Sequence, residues 1–504
     1  MKGTEVKNQQ TLNDIKTREL LSMLRKIALP IALQSLIGSS LSLIDNLMVG
    51  SLGELQLNAV GVSVQIFFVY WMLLYGISGG AATFISQFYG VGDFKNIRRT
   101  TGFTLTIAMG IGLLFFIAAE AFPQYILRIF TKFPEVIEEG CSYVRIGAPT
   151  FLMLAVTQPF TIALRATQQT RLPLYASAVA LATNTGLNYL LIFGKLGLPA
   201  LGVDGAALAT SIARLLEMGL ILFVVFGRKN KIAGKLSEFF SYGKDLAKRI
   251  YRNALPTTAN ETLWGLGTSL YVAAFARIGI TEGAAIQACN TINNLFSLAA
   301  FSIGDAILIL IGQKLGEGKL ELAYAMSKKI IMVGLIIGLV MGGGVIIMGE
   351  PILSLFDFTP EGAVYAKKIL MVYGATLWLT LYNAMHVTGT LRGGGDTRFA
   401  MLTETGTVWL IGVPLAFLTS LYLHWPIYIA VLAVKSEEIV KAMILTKRYL
   451  SKKWLKNVIE NIALEGNSDF EKNQQNRTQY LKNTAYKSRN RFAETAENVG
   501  IVNI

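Results

Sequence analysis

The sequence predicts an all-α membrane protein with twelve transmembrane helices in two pseudo-symmetric six-helix lobes. The chain has 504 residues, of which 53% are hydrophobic and only 15% are charged, whereas about a quarter of the residues in a soluble domain are charged. Its apolar runs are about 20 residues long, which is the length of a membrane-spanning helix. They do not show the alternating pattern, over roughly ten residues, of the strands in a membrane β-barrel. An internal repeat, described below, predicts the two lobes.

Twelve apolar runs follow one another along the chain and are the candidate spans. The last of them is the weakest because Lys435, Glu437 and Glu438 interrupt it. The residues before the first run are polar and of mixed charge, so we expect no cleavable signal peptide. The spans cover residues 28–50, 60–88, 101–121, 143–164, 172–194, 204–227, 254–276, 284–312, 329–349, 366–391, 400–421 and 427–447.

The basic residues predict the orientation of these spans. The net charge is +14, which in a soluble protein would suggest a nucleic-acid partner. Here Lys and Arg concentrate in the loops after the second, sixth and eighth spans, whereas residues 51–59 contain none. Because cytoplasmic loops of membrane proteins are rich in Lys and Arg, we expect a cell-membrane protein with both termini in the cytoplasm and no nucleic-acid partner. Four basic residues do not follow this scheme: Arg128, Lys132, Lys367 and Lys368.

Composition along the chain predicts its domain organisation. The last segment is rich in Asn, Lys, Glu and Gln, and a segment of this kind cannot bury a core, so we expect it to be mobile or loosely helical. The predicted segments are a cytoplasmic N-terminal segment (1–26), a first six-helix lobe (27–227), a cytoplasmic basic linker (228–253), a second six-helix lobe (254–450) and a polar cytoplasmic tail (451–504).

The first span carries one carboxylate, Asp45, in an otherwise apolar run. An ionised acid is costly inside hydrocarbon, so such a residue indicates a functional site. Gln34, Gly38 and Ser42 recur with Asp45 at helical spacing and form one small, polar stripe. Such a stripe faces other helices or a wet cavity rather than lipid. We therefore interpret Asp45 as a group that the protein exposes in turn to the two sides of the membrane, and Pro30 predicts a bend in the same span.

The two halves of the sequence resemble each other. Three landmarks of the first half return in the second half, two of them 226 residues later and one 227 residues later. Six spans in each half give both halves the same orientation, and parallel repeats with the substrate between them are typical of secondary transporters. The acids do not follow the repeat, because Asp45 corresponds to Tyr271 and Glu261 corresponds to Ser35. The landmarks are Leu29-Pro30 with Leu255-Pro256, Gln87-x-x-Gly90-x-Gly92 with Gln313-x-x-Gly316-x-Gly318, and Leu164-Arg165-x-x-x-x-Thr170-Arg171 with Leu391-Arg392-x-x-x-x-Thr397-Arg398.

These landmarks and two further segments resemble the multidrug-and-toxin-extrusion (MATE) family. The resemblance covers about residues 25–450, and it depends on the order and spacing of several motifs rather than on any one of them. The matching residues are Leu29-Pro30 followed by Asp45, Gln87-x-x-Gly90, Leu191-Ile192-Phe193-Gly194, Leu201-Gly202-x-x-Gly205-Ala206-Ala207-Leu208-Ala209-Thr210 and Leu391-Arg392-Gly393-Gly394-Gly395-Asp396-Thr397.

The resemblance implies an antiporter that expels bulky, often cationic amphiphiles against a sodium or proton gradient. It also implies two six-helix lobes around a central cleft. We expect small amphiphilic organic cations or drugs and membrane lipid as partners, a monomer, no cofactor and no enzymatic activity. The coupling-ion site implied by the family consists of Asp45, Asn184, Asn188 and Thr210. Some members carry an acid at the position of Asn188, so the amide here argues against a two-carboxylate proton relay.

The residues of this implied site offer a hard set of oxygen atoms. Asn184 and Asn188 are four residues apart and therefore share one helix face. A carboxylate, two amide carbonyls and a hydroxyl suit Na⁺, since hard cations prefer oxygen ligands. Asp45 could instead hold a proton in a desolvated setting, and the two amides could merely join helices by hydrogen bonds. The choice between Na⁺ and H⁺ stays open at this point, with Na⁺ favoured.

Glu261 and Asp396 are the candidates for cation or substrate binding in the second lobe. The resemblance implies this role, because both align with acids that the family uses. Thr257, Thr258 and Asn260 lie near Glu261 in the sequence and could be its polar partners instead. Asp396 follows three glycines, where a turn or an N-cap role is simpler.

Two groups of charges in the spans have oppositely charged neighbours at helical spacing. Arg214 and Glu217 are three residues apart in the sixth span. Glu437 and Glu438 lie close to lysines in the twelfth span. Because charges three or four residues apart meet on a helix surface, we predict that both groups form local structural pairs.

Three other functions fit parts of the pattern. A major-facilitator transporter also has twelve spans in two parallel halves, but the acids and the paired Arg-x-x-x-x-Thr-Arg turns favour the MATE resemblance. A flippase for lipid-linked saccharides of a related fold would need several basic residues in its cavity, and six of the spans have none near their middles. An intramembrane enzyme would need a nucleophile with a base, or a metal cluster. Cys141, Cys289 and the two histidines do not have such spacing.

Overall fold

The computed structural model describes residues 17–228, 230–354, 358–460 and 462. Within these residues the chain forms only helices and the turns between them, as the sequence predicts. Residues 1–16 of the predicted N-terminal segment, residue 229 of the predicted linker and residues 463–504 of the predicted tail lie outside the described residues. All the described helices belong to one compact unit, Met1–Val458. A second unit, Ile459–Ile504, is described only by a turn in which the Ile462 N–H donates to the Ile459 carbonyl at 3.0 Å.

The first lobe contains six long helical segments, α1 to α6. A Pro residue begins the second part of α4, and the two parts meet at 45°, because Pro cannot continue the hydrogen bonding of the preceding turn. A short helix, Pro123–Arg128, precedes α4. The segments are α1 (Thr17–Gly50), α2 (Glu54–Gly90), α3 (Phe94–Ala121), α4 (Pro134–Gly147 and Pro149–Ala166), α5 (Arg171–Phe193) and α6 (Gly202–Leu222, continued by the π-helical turn Phe223–Gly227).

The second lobe contains six further segments, α7 to α12, after the short helix Leu236–Phe240. The second part of α11, after Thr407, consists of two π-helical turns, one on either side of one short α-helical segment. The segments are α7 (Lys244–Ala276), α8 (Ile280–Gly316), α9 (Leu320–Leu353), α10 (Pro360–Ala384, continued by the π-helical turns Met385–Leu391), α11 (Thr397–Thr407, Val408–Gly412, Val413–Phe417 and Leu418–Tyr422) and α12 (Ile427–Leu450).

Many of these helices are suited to a bilayer. Within the described residues, eight are long and apolar enough to cross a membrane, or nine if the bent α4 counts as one span. The remaining segments, α7, α10 and α12, are also long but contain several charged residues. The structure is therefore that of a multi-pass membrane protein. The predicted count of twelve transmembrane helices is consistent with this structure.

Several helices are longer than the predicted spans. The first begins at Thr17 instead of residue 28, and the seventh begins at Lys244 instead of residue 254. The predicted linker 228–253 thus gives its last ten residues to α7, where Arg249 pairs with Asp245 one turn earlier at 2.9 Å. Hydropathy detects only the apolar part of a helix, whereas charged residues at i and i+4 continue it beyond the apolar part.

The two lobes meet closely where α2 and α8 end. A Cβ atom on Gly90 would collide with the backbone of Gln313, and one on Gly316 would collide with the backbone of Gln87. Only glycine permits this approach of two helix backbones. Each contact is the counterpart of the other in the sequence repeat. We call this end of the bundle, with residues 91–93, 228, 230–243 and 317–319, the basic end.

The glutamines of this contact bind across the lobes in the same symmetric way. Gln87 Nε2 donates to the carbonyl of Gly393 at 3.2 Å, and Gln313 Nε2 donates to the carbonyl of Ala166 at 3.3 Å. Both acceptors lie in the turns that contain the Leu-Arg-x-x-x-x-Thr-Arg landmarks. Two of the three landmarks of the repeat therefore meet at one interface between the lobes.

Pro30 lies inside an uninterrupted helix. Because Pro has no N–H, it cannot bond the carbonyl of Lys26 one turn earlier. The hydroxyl of Thr170, at the start of α5, donates to that carbonyl at 3.1 Å instead. The structure thus supplies the missing hydrogen bond, and the predicted bend at Pro30 stays a prediction.

The prediction that the polar tail is mobile from residue 451 onward is wrong for its first eight residues, 451–458. Trp454 is completely buried, its indole Nε1 donates to the carbonyl of Tyr449 at 3.1 Å, and the two rings stack with centroids 5.6 Å apart. Its backbone lies against Gly394, where a Cβ atom would not fit. One buried aromatic residue in a polar segment is enough to anchor it, and average composition does not reveal such an anchor.

This docked segment, residues 451–458, contacts both lobes. Lys456 Nζ pairs with Asp396 of the second lobe at 2.8 Å. The carbonyl of Lys456 accepts from Gln87 Nε2 of the first lobe at 3.1 Å. The N–H of Val458 donates to Gln87 Oε1 at 2.8 Å. The segment therefore joins the lobes at the basic end.

The four basic residues that do not follow the orientation scheme have local partners. Three of them lie over aromatic rings and one forms an ion pair, which are common ways to hold a cation near a membrane interface. The partners are Tyr125 for Arg128 (5.8 Å), Phe133 for Lys132 (5.9 Å), Tyr428 for Lys368 (4.3 Å) and Glu350 for Lys367 (2.9 Å).

We expect Gly316→Val to weaken the contact between α2 and α8. The added side chain would meet the backbone of Gln87, which cannot move aside as a side chain can, and overpacking of this kind costs about 1–3 kcal/mol. The melting midpoint of the purified protein in detergent measures the loss. Gly110→Val on α3 is the matched control, because nothing lies within 4 Å of a Cβ atom there. Equal midpoints for the two variants would contradict the close contact.

We also expect Trp454→Ala to destabilise the protein by about 3–5 kcal/mol, as for other fully buried aromatic residues. Chemical unfolding followed by tryptophan fluorescence gives the change. Trp425→Ala is the control, since Trp425 is 40% exposed and its loss should cost much less. If both variants unfold together, residues 451–458 do not dock in solution.

Candidate functional site

The structure brings together all four residues of the predicted coupling-ion site. Asn188 Nδ2 donates to Asp45 Oδ1 across α5 and α1 and lies 3.1 Å from Asn184 Oδ1. Asn184 Nδ2 donates to the hydroxyl of Thr210 on α6 at 3.1 Å. The four side chains therefore form one hydrogen-bonded row across three helices. Their predicted role in ion coupling stays a prediction.

The atoms of this row could hold a small cation. Asn184 and Asn188 are completely buried, whereas Asp45 and Thr210 are half-buried. Asn188 Oδ1 is buried without a hydrogen-bond partner, and an orphan polar atom of this kind is uncommon in a folded protein. A cation beside the carboxylate would satisfy it, since amide and carboxylate oxygens are suitable ligands for hard cations.

Open space borders the polar stripe of α1. Nothing lies within 4 Å of a Cβ atom built on Gly38, and Ser42 is exposed. The stripe is therefore not covered by other helices at these positions, and the predicted wet cavity stays a prediction. Asp45 lies on the same stripe, so a ligand can approach it along this face.

The predicted pair of Arg214 with Glu217 is present at 2.7 Å. Glu217 also accepts a hydrogen bond from the Ser177 hydroxyl at 2.6 Å, and Ser177 in turn accepts from Gln34 Nε2 at 3.0 Å. Gln34 Oε1 accepts from Arg165 at 2.7 Å. A continuous polar network thus leads from the interior of the first lobe to the interface between the lobes.

At that interface the structure adds an acid that the sequence analysis did not identify. Asp305 of α8 lies 3.8 Å from the guanidinium of Arg165 and 3.5 Å from the hydroxyl of Tyr75 on α2. The pair joins the two lobes about three helical turns before α8 ends. The rule that identified Asp45, a carboxylate inside an apolar span, also applies to Asp305 and could have found it.

Two aromatic residues of α2, Trp71 and Tyr75, lie one helical turn apart, and Tyr75 contacts this ion pair. The rings of Trp71 and Tyr75 stack with centroids 5.2 Å apart, and Trp71 is 44% exposed. Residues four positions apart share a helix face, so Trp71 lies on the same face as Tyr75, farther from the basic end. Exposed aromatic faces near a carboxylate suit organic cations.

Glu261 has a different partner from those considered in the sequence analysis. Arg392 Nη2 pairs with Glu261 Oε1 at 2.5 Å, and the arginine is only 3% exposed. The hydroxyls of Thr257 and Thr258 instead donate to backbone carbonyls of their own helix. Arg392 is part of the repeated Leu-Arg motif, so a landmark of the fold also neutralises the acid.

The structure does not bring Asp396 to Glu261. Asp396 instead pairs with Arg448 at 2.7 Å and with Lys456 at 2.8 Å. It precedes the first residue of α11, but its side chain makes no capping hydrogen bond. Asp396 therefore occupies the N-cap position of α11, but its carboxylate forms ion pairs instead of a capping hydrogen bond. Its predicted role in cation binding stays a prediction.

The predicted pairing of Glu437 and Glu438 is present through one lysine. Lys441 lies 3.7 Å from Glu437 and 3.4 Å from Glu438. All three side chains are buried. Lys435 lies over the ring of Tyr373 instead, 5.5 Å from its centroid. A second acid missed by the sequence analysis, Glu404 of α11, accepts from Asn260 Nδ2 at 2.5 Å.

Among the described residues, no three His, Cys, Asp or Glu side chains are grouped so that they could hold a metal ion. The row at Asp45 contains one carboxylate, with amides and a hydroxyl. It is therefore suited to a weakly held monovalent cation rather than to a structural divalent metal.

The MatE family model matches this chain twice, over residues 30–190 and again over residues 256–418. The two matches begin 226 residues apart, which is the offset of the sequence repeat. Each match begins at the proline of the first landmark and contains one copy of the other two landmarks. The family model thus recognises the same two halves that form the two lobes.

Known proteins of similar sequence extend over most of the chain. The chain is 27% identical over 402 residues to a probable multidrug resistance protein YoeA of Bacillus subtilis, with 78% of this chain and 85% of that protein covered. It is 27% identical over 457 residues to a probable multidrug resistance protein NorM of Thermotoga maritima, with 88% of this chain and 94% of that protein covered.

A solved structure has the same fold. It is described as the outward-facing conformation of a multidrug resistance MATE family transporter of the MOP superfamily, and it superimposes with a TM-score of 0.78 at 18% identity. The superposition covers 86% of this chain and 96% of the other. Because the family model covers more than half of the residues, the protein belongs to the MatE family and is a multi-pass membrane transporter.

Proposed function

We propose that this protein is a secondary active multidrug exporter of the cell membrane. It antiports amphiphilic, mostly cationic compounds out of the cell against Na⁺ or H⁺ by alternating access. The observation that carries the proposal is the row of Asp45, Asn188, Asn184 and Thr210, with its orphan amide oxygen beside a half-buried carboxylate. The multidrug resistance names of the relatives support the class of cargo.

The loops support an orientation with the basic end in the cytoplasm. Lys and Arg concentrate in the loops at this end, and cytoplasmic loops of membrane proteins are enriched in both residues. In this orientation both chain termini are cytoplasmic. The close contact of α2 with α8 then closes the cytoplasmic side, and the opposite side is the one from which cargo leaves.

Alternating access requires this cytoplasmic contact to open. The pairing of Arg165 with Asp305 and the hydrogen bonds of Gln87 and Gln313 join the two lobes there. Inward opening breaks these contacts, and binding of a cation at Asp45 changes the charge of the first lobe between the two states. An ion can couple to such a change only if it binds the two states with different affinity.

The cargo is expected to be cationic because the interface offers exposed aromatic faces, which attract organic cations. Trp71, Tyr75 and Asp305 lie on neighbouring turns of α2 and α8. Arg165 and Arg392 also lie near the interface. A flippase for lipid-linked saccharides would use such arginines to bind phosphate. Each arginine is already paired with an acid, so the anionic cargo is the less favoured alternative.

Reconstituted vesicles test the proposal. We expect the purified protein to export a fluorescent lipophilic cation from proteoliposomes when either an inward Na⁺ gradient or an inward H⁺ gradient is applied alone. Movement with only the Na⁺ gradient assigns Na⁺ as the coupling ion, and movement with only the pH gradient assigns H⁺. Absence of movement with both gradients would contradict drug antiport and favour a lipid-linked cargo.

We expect Asp45→Asn to abolish gradient-driven export while the protein still folds. The asparagine keeps the size of the side chain but removes the charge that attracts the coupling cation. Initial rates in proteoliposomes measure the effect, and Glu120→Gln, which removes an exposed carboxylate of α3, should transport at the wild-type rate. Full export by Asp45→Asn at matched protein content would refute the role of Asp45.

A further inference from the structure

A cavity of about 950 Å³ lies beside the first part of α4. Its lining residues all fall within residues 124–146, which follow the end of α3. That helix begins at Phe94, next to the basic end, and runs for 28 residues to Ala121. At 1.5 Å per residue it is about 42 Å long, which is more than the thickness of the hydrocarbon core. The cavity, which we call the α4 cavity, is therefore at the membrane face opposite the basic end.

Three basic side chains line the α4 cavity: Arg128, Lys132 and Arg145. All three are exposed, and within the described part of the chain none of them forms an ion pair. Arg128 and Lys132 lie over the rings of Tyr125 and Phe133. A contact with an aromatic ring does not neutralise a cation. The three positive charges are therefore available to an anion in the cavity.

The lining contains one carboxylate, that of Glu138. Glu135 and Glu139 belong to the same helix but do not line the cavity, because neighbouring residues of a helix point in different directions. Three basic residues and one acid thus surround the space. An anion bound there would meet more positive than negative charge.

Membrane topology does not account for these basic residues. Lys and Arg concentrate in loops at the basic end, and the loops of the other membrane face are usually poor in both. Arg128 and Lys132 are two of the four residues that do not follow the orientation scheme, and Arg145 lies beside the same cavity. Contacts with aromatic rings explain how such charges stay near the interface, but not why three of them surround one space.

The surface next to the α4 cavity is apolar and exposed. Aromatic side chains of membrane proteins concentrate at the level of the lipid headgroups, so this surface places the cavity at that level. The apolar side chains of Ile137 and Cys141 also line it and suit the uncharged part of a lipid. The exposed residues of the surface are Phe122, Tyr125, Ile129, Phe130 and Phe133.

We propose that the α4 cavity binds the phosphate-bearing headgroup of an anionic phospholipid. The guanidinium groups of Arg128 and Arg145 and the ammonium group of Lys132 donate to the phosphate oxygens, as these groups do in other phosphate sites. The hydroxyls of Thr131 and Ser142 line the same space and add donors. The volume is in the range of small-molecule sites and is much larger than a phosphate ion, which favours a lipid headgroup over free phosphate.

This site goes beyond the proposed function, because it uses neither Asp45 nor the interface between the lobes. Its test is an equilibrium measurement without transport, so failure of the antiport assay leaves its result unchanged. In the proposed orientation the lipid belongs to the outer leaflet.

Native mass spectrometry of the full-length protein in detergent counts the bound lipid molecules at each lipid concentration. We expect dioctanoyl phosphatidylglycerol, which is anionic, to bind more tightly than dioctanoyl phosphatidylcholine, which has no net charge. The double variant Arg128→Gln with Lys132→Gln should weaken binding of the anionic lipid about fivefold for each residue removed, the usual effect of one basic residue near an anionic headgroup. Equal binding of the two lipids by the wild type would refute the proposal.

A matched control removes two exposed basic residues of the same membrane face that do not line the cavity. Lys195 follows α5 and Arg277 follows α7, so Lys195→Gln with Arg277→Gln loses the same charge. We expect this control to bind the anionic lipid like the wild type. An equal loss in both double variants would show attraction by net charge alone and would contradict a site in the α4 cavity.

Arg145→Gln tests the α4 side of the cavity independently. Arg145 lies outside the segment that contains Arg128 and Lys132, and it is exposed, so its loss should not prevent folding. We expect about a fivefold weaker affinity for the anionic lipid. Unchanged affinity in this variant would mean that the guanidinium of Arg145 does not bind the headgroup and would overturn the site as proposed.

Inorganic phosphate distinguishes the two possible sources of the phosphate group. If phosphate does not displace the bound anionic lipid, the lipid headgroup is the ligand, as proposed. If phosphate at equal concentration displaces the lipid, and the Arg128→Gln and Lys132→Gln variant no longer binds phosphate, a soluble phosphate compound is the ligand and the assignment to lipid is wrong.

Discussion

A charged side chain in the apolar interior of this protein needs a partner, and this requirement determines which side chains are available to a ligand. Most of the charged side chains in the interior form ion pairs with one another, as Arg392 and Glu261 do at 2.5 Å. Asp45 and Glu404 are instead held by amides, which leave their charge in place. The kind of partner distinguishes the two groups, since a cation can bind an amide-held carboxylate without displacing a hydrogen-bonded base.

The fold could be predicted because it depends on local patterns, whereas the meeting of Asp45 with Asn184, Asn188 and Thr210 was implied by the family resemblance. Span length, the repeat and the four-residue spacing of Asn184 and Asn188 are visible in the sequence, and helix geometry turns them into faces. The partners of Glu261 and Asp396 could not be predicted in the same way. Arg392 is 131 residues from Glu261 and Arg448 is 52 residues from Asp396, and only packing brings them together. Docking of residues 451–458 combines a buried aromatic side chain with polar contacts to Gln87 and Asp396, and average composition shows neither.

The repeat also accounts for a difference between the two arginines near the interface. Arg165 and Arg392 are counterparts, and so are Gly79 and Asp305. Asp305 faces Arg165 across the lobes at 3.8 Å, whereas a Cβ atom on Gly79 would lie 3.0 Å from Arg392. Because Gly79 offers no carboxylate, Arg392 finds its acid inside its own lobe. One ion pair thus joins the lobes while its counterpart stays within one of them.

The contact of Gly90 with Gln313 and of Gly316 with Gln87 is self-complementary. A surface that binds its own repeat counterpart has the geometry of an isologous interface, by which two identical chains form a closed dimer. The single chain therefore retains, between its halves, the kind of contact that two separate copies of a six-helix protein would make. In evolutionary terms, duplication and fusion of such a dimer would give this interface directly, and acids such as Asp45 and Glu404 could then diverge independently in each half.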